Sequence, residues 1–545
     1  MQRRVEYIVI VFVALIVHGL VLLNDGIYLD GWLVYTKLVE RNWDGFSSWL
    51  MQAGLPGQLY FFWLMEYFPG LIFKFRMVAF LSILLTAILV YKICGESQLT
   101  SRWESVSIAL ISLSYPAYQV SMETSTTPHL VFYFLFLLAA FLTVRSERID
   151  GIRRYSLQGC AVILFFLSFN LNSLLVFYFG FLLFLLIRER QRKGGSWREA
   201  LTWSLPRCPH LLVLPFMYWA VKEFFFPRYG DYVDYNRFQF SPTTFVVQSG
   251  LFFVNAIYGQ LNNALETMLK EPALALLLLL VIYRASVAFK MGPAFFSDSR
   301  SNPRALLTFG IVLLVLGVSP YVAVGLGPTL HGYNTRHALL VGLPMALIFT
   351  GTVGLIFSQG ETGPSKPARA VLVTLVVAFS LTTIGNYFAW QARWVKDRSI
   401  MVNLSHMSDF KRISIFWVND EFQFQGATDY AVYGWSSMFK QVWGGESRIG
   451  LNTQFFTSNM LADREKFSRS WALALYNLSD LDPAGCQAIL NIKRGRLASP
   501  DAWKLTLHYL FLKFLEPEEM PQFLEGIARV HGEPISAPEA VNCRT

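Results

Sequence analysis

Two aspartates, Asp25 and Asp30, lie in the stretch Asn24-Asp25-Gly26-Ile27-Tyr28-Leu29-Asp30-Gly31-Trp32, directly after the first apolar run of the chain. An ionisable side chain at the end of a membrane span costs free energy unless it faces water or a partner, so a carboxylate pair there marks a candidate site. Trp32, Trp43 and Trp49 follow in the same loop, and indole rings favour the membrane–water boundary. The amphipathic stretch from Trp32 to Arg41 reads as a helix lying along that boundary. A loop held there can present an acid to a lipid-borne substrate. The competing role for both aspartates is capping, since Asp is favoured immediately before a helical run. Gly31, for its part, leaves room for a ligand to approach the backbone beside Asp30. Asp44, next to Gly45, reads as a turn residue. Far along the chain, Arg336 with His331, Tyr333 and His337 forms a cluster whose guanidinium presents a planar fork suited to phosphate. The competing role for Arg336 and His337 is that of interfacial anchors snorkelling from a helix end.

These residues must be positioned by membrane helices. Of 545 residues, 54% are hydrophobic and 15% charged, and the mean hydropathy is +0.40. That balance excludes a soluble multi-domain enzyme. Apolar runs approach the roughly 20 residues that a helix needs to cross a bilayer. They place spans at Val5–Leu23, Leu71–Ile93, Ser105–Val120, His129–Val144, Leu157–Phe169, Ser173–Ile187, His210–Phe226, Pro272–Phe289, Ala305–Gly325, Ala338–Phe357 and Ala370–Ala389, about eleven in all. The first run is long and has no small-residue cleavage site, so it reads as a retained helix rather than a signal peptide. Asn170-Leu171-Asn172 divides a long apolar stretch and reads as a tight hairpin, with one long tilted helix as the alternative.

The net charge of +9 collects between the spans, where it sets orientation and gives no indication of nucleic acid. Arg145, Arg148, Arg153 and Arg154 flank one loop, Arg188 to Arg198 a second, and Lys290, Arg300 and Arg304 a third, all on the N-terminal side. The expected topology has a cytoplasmic N-terminus and a C-terminus outside. Residues 390–545 carry dispersed charge and no run long enough to cross a membrane, so they read as a soluble exoplasmic domain. Arg412 to Val418 suggests a strand there and Trp503 to Leu515 an amphipathic helix, a small mixed α/β module. Cys486 and Cys543 fall in the oxidising compartment under this topology, where a disulfide between them is open. No His/Cys cluster has zinc-ligand spacing, and Gly325 to Gly332 lacks the lysine of a Walker-type phosphate loop.

A resemblance to a known family rests on three stretches. Tyr28-Leu29-Asp30-Gly31-Trp32 resembles the tyrosine, paired-aspartate, tryptophan motif that follows the first span in bacterial multi-spanning proteins of the GT-C glycosyltransferase type. Ser114-Tyr115-Pro116-Ala117-Tyr118-Gln119 with Thr127-Pro128-His129 resembles the segment closing the third span and opening the fourth. Tyr333-Asn334-Thr335-Arg336-His337-Ala338-Leu339-Leu340 resembles the arginine-bearing entry to a late span. The resemblance extends loosely over the membrane region and is weak in the outer domain. Only Asp30 matches the acid pair; Gly31 stands where the second acid would be.

The resemblance implies an α-helical polytopic membrane protein, a GT-C-like bundle over 1–389, with first outer loop 24–69 and a second at 227–270, followed by the exoplasmic domain. It implies transfer of a sugar from a polyprenyl-phosphate donor to a glycan or lipid acceptor of the cell envelope, on the outer face of a bacterial inner membrane. It names no certain cofactor; the first-loop aspartate serves some such enzymes as a ligand for a divalent metal, which leaves a metal open here. Attack by a sugar hydroxyl needs a base within reach of its proton, for which Asp30 is the candidate and Asp25 the second acid. The departing lipid phosphate needs a preorganised cation, for which Arg336 is the candidate. Glu123 and His129 bracket another outer loop and could shape a sugar pocket or share a proton with Asp30. In the loop after Phe226, Tyr235 and Asn236 could stack on and hydrogen-bond to a sugar, or belong to an aromatic belt. The rival functions are a transporter or flippase for a lipid-linked glycan or solute, and a non-catalytic envelope-assembly protein.

Overall fold

The fold was described from a computed structural model, which defines residues 3–97, 99–193, 196, 198–199, 202, 209–234, 236–239, 241–288, 302–357, 365–424, 430–444, 448–452 and 486–535. Five helices among them are long and apolar enough to cross a membrane: Phe73–Glu96, Thr124–Ser146, Pro303–Ala323, Tyr333–Ile356 and Lys366–Ser405. This is the architecture of an integral membrane protein, with five rather than eleven helices meeting that measure. The shortfall has local causes. The first run breaks at Gly19 into Arg3–His18 and Leu20–Leu23. The run from Ser105 stops at Ser114, because Pro116 clashes with a helical residue before it and Tyr115 turns extended. Ile152–Ser168, Pro209–Phe225 and Pro272–Ala288 each have 17 residues, a rise of about 26 Å at 1.5 Å per residue against a hydrocarbon core of about 30 Å. Ser173–Lys193 is longer, but its last turns carry Arg188, Glu189, Arg190, Arg192 and Lys193.

The chain does turn at Asn170, where Ile152–Ser168 ends and Ser173–Lys193 begins, so the hairpin is formed rather than one tilted helix. Both amides of the turn are used: Asn170 accepts from the Gly57 N–H at 3.1 Å, and Asn172 from Lys222 Nζ at 2.6 Å.

The bundle has two chemically distinct ends. At one, Arg102 pairs with Glu6, Arg148 with Glu96 at 3.8 Å, and Arg188 with Glu147 at 2.7 Å, which gathers the basic loops. At the other lie Asp30, the turn Val120–Met122, Asn170 and the segment Tyr333–Val341.

The 40-residue helix Lys366–Ser405 runs straight through the expected domain boundary at residues 389 and 390. Its second half is the spine of the C-terminal domain, where Arg393, Lys396, Asp397 and Ser399 are buried. Lys396 pairs with Asp420, and Asp397 accepts from the Tyr430 hydroxyl. Strands β1 (Ile415–Asp420), β2 (Ile449–Asn452), β3 (Gln487–Arg494) and β4 (Ala528–Ile535) form one sheet in the order β2-β1-β3-β4. β1 is parallel to β2 and β3, in register Ile415 with Ile449 and Gln487, while β4 is antiparallel to β3. The expected mixed α/β module is therefore present. Its first strand starts at Ile415 rather than Arg412, since Ser408–Arg412 makes a 3-10 turn, and the expected helix is Ala502–Leu515. One continuous apolar cluster joins the membrane helices to this sheet, with Trp32 against Trp394 at a ring separation of 6.0 Å. Cys486 is disulfide-bonded; Cys543 lies outside the described residues.

Candidate functional site

The first loop folds into three short helices, Gly31–Glu40, Trp43–Gln52 and Pro56–Glu66, the first of them covering the expected helical stretch Trp32–Arg41 and burying Trp32. Asp30 occupies the N-cap position of that helix, yet its side chain makes no capping hydrogen bond. The carboxylate is engaged elsewhere: Oδ2 accepts from the Tyr333 hydroxyl and Oδ1 from the Tyr433 hydroxyl. Three distant segments thus meet at one acid, the third being the first turn of helix Val432–Trp443 in the C-terminal domain. Leu29, just before Asp30, has a left-handed φ of 46°. Such a conformation costs a bulky residue on the order of 1–3 kcal/mol and persists where the surroundings over-determine it. Arg76 supplies part of that constraint. Fully buried, it donates to the carbonyls of Asn24 (3.3 Å), Gly26 and Met122, stapling the first loop to the turn Val120–Met122.

That turn delivers Glu123. A Cβ on Gly31 would lie 2.6 Å from Glu123 Oε1, so the space a side chain at residue 31 would need is already taken by a carboxyl oxygen. Glycine here is a requirement of close approach rather than of backbone conformation. Glu123 thus sets a second carboxyl group beside Asp30, in the volume that a side chain at residue 31 would fill. Glu123 Oε2 accepts from the Thr126 N–H at 3.0 Å and from the Ser125 hydroxyl, while Oε1 is buried with no hydrogen-bond partner. Burial, and then the neighbouring Asp30 carboxylate, push the Glu123 carboxyl up to about 8. It therefore keeps its proton at neutral pH, and the two-acid cluster carries one charge fewer than its residues suggest.

Arg336 reaches the same place through Tyr333: its guanidinium carbon lies 3.7 Å from the centroid of the Tyr333 ring, whose hydroxyl donates to Asp30. Arg336 Nε donates to His337 Nε2 at 3.3 Å, and His337 Nδ1 faces the Gly327 carbonyl at 3.1 Å. His129 lies within electrostatic reach of both Arg336 and His337, and 3.5 Å from the Gln58 amide. Asp30, Glu123, Tyr333, Arg336, His337 and His129 are thus brought together.

No protein-family model matches the chain, and no curated protein matches it in sequence.

Several expected members lie elsewhere. Asp25 accepts from the Tyr509 hydroxyl at 2.9 Å and pairs with Lys513 at 3.2 Å, both on helix Ala502–Leu515, so it fastens the C-terminal domain to the bundle. Burial and that same carboxylate push the Tyr509 phenol up, which keeps it a donor. His331 faces a separate cavity beside the 366–405 helix, where burial lowers its pKa and favours the neutral ring. Asn236 adopts a left-handed turn with φ of 56°, in a loop seated on helix Trp43–Gln52 by a 2.7 Å bond from Trp49 to the Tyr232 hydroxyl and by Tyr229 N–H to Gln52 O at 3.2 Å. That loop is not brought to Asp30; Tyr235 lies outside the described residues. Among the described residues no three His, Cys, Asp or Glu are grouped closely enough to hold a metal ion.

Two members escaped the sequence analysis. Arg76, a cation near the start of an apolar run, carried a signal, because a charge in a span is costly unless it has a task. Tyr433 carried none: it is one aromatic among many, 403 residues from the acid that it touches.

Proposed function

We propose that this protein is a membrane glycosyltransferase that moves a sugar from a polyprenyl-phosphate donor to a cell-envelope or lipid-linked glycan acceptor at the Asp30 end of the bundle. By the distribution of cations that end faces outward, and the paired basic loops face the cytoplasm. Asp30 takes the proton of the acceptor hydroxyl, whose oxygen attacks the anomeric carbon. The bond from that carbon to the carrier phosphate breaks, and its electron pair leaves on the phosphate, whose charge Arg336 offsets. A single displacement inverts the anomeric centre. Glu123 keeps its proton through the cycle, so the acid cluster does not repel the phosphate with a second charge.

The observation that carries this reading is the Tyr333 bridge, which touches Asp30 with its hydroxyl and Arg336 with its ring. That juxtaposition supports reading the two residues as base and phosphate partner of one site. The test is transfer from a radiolabelled polyprenyl-phosphate sugar by the purified protein in liposomes. Asp30→Asn keeps the shape and removes the basicity, with an expected loss of roughly 10²–10⁴-fold. Undiminished transfer by that variant excludes Asp30 as the base. Movement of the lipid across sealed vesicles with no transfer replaces the enzyme by a transporter.

A further inference from the structure

A polar cavity of about 340 Å³ lies between helix Gly259–Lys270, the 366–405 helix and the N-terminal end of helix Ala502–Leu515 with the preceding Pro500 and Asp501. Its volume falls within the roughly 300–1,000 Å³ range of small-molecule sites. Nothing in the mechanism above uses it, but it adjoins the Asp30 site on two sides. His331, on its wall, is two residues from Tyr333, and Trp390, on another wall, packs edge-on against Tyr28 at 5.0 Å, two residues before Asp30.

The lining indicates what chemistry fits. Trp390 and Trp503 offer indole surface, with Trp503 held in place by stacking on Phe388 at 4.2 Å. The amides of Asn263 and Asn386 supply neutral donors and acceptors, while Gln119, Thr267 and Thr382, which donate to the carbonyls of Leu330 (2.8 Å), Asn263 (2.7 Å) and Ala378 (3.0 Å), offer their oxygens as acceptors. Four of the five charged side chains on the wall contact groups of the protein itself. Lys270 pairs with Glu266 at 2.6 Å, Asp501 accepts from the Trp503 N–H at 2.9 Å, and the guanidinium of buried Arg393 lies 4.3 Å from the Tyr430 ring. Carboxylates outnumber cations, since Glu271 joins Glu266 and Asp501 against Lys270 and Arg393. An anionic phosphate is therefore disfavoured. Aromatic faces beside amides and hydroxyls suit a ligand with apolar C–H faces and many hydroxyls.

We propose that this cavity binds an uncharged saccharide segment, which, on the glycosyltransferase reading, is the acceptor chain whose end extends towards Asp30. Trp503 packs on a sugar face, and the amides take the hydroxyls.

The test uses the full-length protein in nanodiscs, titrated with maltotriose, cellotriose and mannotriose as neutral probes and trigalacturonate as the charged one, with binding read by calorimetry. At least one neutral trisaccharide binds, and trigalacturonate binds more weakly. Trp503→Ala weakens the binding by about tenfold, the scale of one lost aromatic contact. Because that change removes a packed ring, Gly385→Leu serves as a second variant. A Cβ at Gly385 meets only Trp503 atoms, at 3.7 and 3.9 Å, so a side chain there starts against Trp503, a residue of the cavity wall, rather than against backbone. It too is expected to weaken binding by about tenfold or more. The inference is overturned when no neutral trisaccharide binds, when trigalacturonate binds as well as they do, or when both variants bind like the parent. Asp30→Asn separates the two readings: it abolishes transfer and leaves trisaccharide binding intact. Persistent transfer in that variant removes the proposed base and leaves the cavity standing.

Discussion

Asp25 meets the ammonium of Lys513 at 3.2 Å and the phenol of Tyr509 at 2.9 Å, whereas Asp30, five residues later in the same loop, meets two phenols and lies in the field of a second carboxyl group. The first acid has its charge answered by a cation and acts as a strut between bundle and domain. The second is held by neutral donors that orient it without cancelling its charge, and next to it Glu123 is forced to stay protonated. An acid in the second setting retains its capacity to accept a proton from a ligand. On the proposed reading, the difference between the strut and the base thus lies in what surrounds each, since both are aspartates at the same end of the same loop.

That contrast can be broken most directly by comparing the two amide variants. Asp30→Asn is expected to cost roughly 10²–10⁴-fold in sugar transfer. Asp25→Asn should leave transfer within a few-fold of the parent and lower unfolding stability by about 1 kcal/mol, the scale of one hydrogen bond and a partly exposed ion pair. Equal losses of transfer in both would erase the distinction.

Gly31→Asp restores the acid pair in sequence but drives a side chain into the space held by Glu123 Oε1. It should reduce transfer rather than improve it, and destabilise the protein by roughly 1–3 kcal/mol through overpacking. Higher activity in this variant would show that residue 123 does not stand in for the missing acid.

Glu123→Gln sharpens the comparison through pH. With the carboxyl pushed up to about 8, parental activity should fall about tenfold per pH unit above that value, as a second negative charge appears beside Asp30. The Gln variant should lack this alkaline limb. Stability follows the same linkage. Below the unfolded value near 4.3 the carboxyl is protonated in both states, and its contribution is complete. Between that value and about 8 the folded protein keeps a proton that the unfolded chain releases, so stability declines as pH rises through the window. Denaturant titrations of the two proteins from pH 4 to 9 should diverge over that window alone.

The smallest effect concerns the domain's own contribution. Tyr433→Phe removes one donor from Asp30 and should lower transfer by about five- to tenfold, the scale of one hydrogen bond. An unchanged rate would mean that the C-terminal domain touches the site without serving it.

Much of the large-scale order is legible in local patterns. Runs of apolar residues mark the membrane class, the Trp32–Arg41 stretch marks the helix Gly31–Glu40, and alternation and helical periodicity mark the mixed α/β module. Span counting fares less well, because Pro116 and Gly19 truncate helices whose hydropathy continues past them. The expected boundary at 389 falls inside a helix for a related reason: hydropathy drops there, but the 366–405 helix itself does not stop. Among site residues, Asp30 and Arg336 stand out by type and position. Asp25, His331 and Asn236 have equally suggestive types, and the fold sends each of them elsewhere.

What the chain determines by itself is which segments are apolar, which ends are basic and where an acid sits at the mouth of a span, because these depend on residue types over a few turns. Only the tertiary structure decides that Tyr333 and Tyr433, 303 and 403 residues from Asp30, are the groups that hold it, and that Glu123 fills the space Gly31 leaves open. Contacts across such separations are fixed by how helices pack, and packing depends on the shape of the whole assembly rather than on any local stretch of residues.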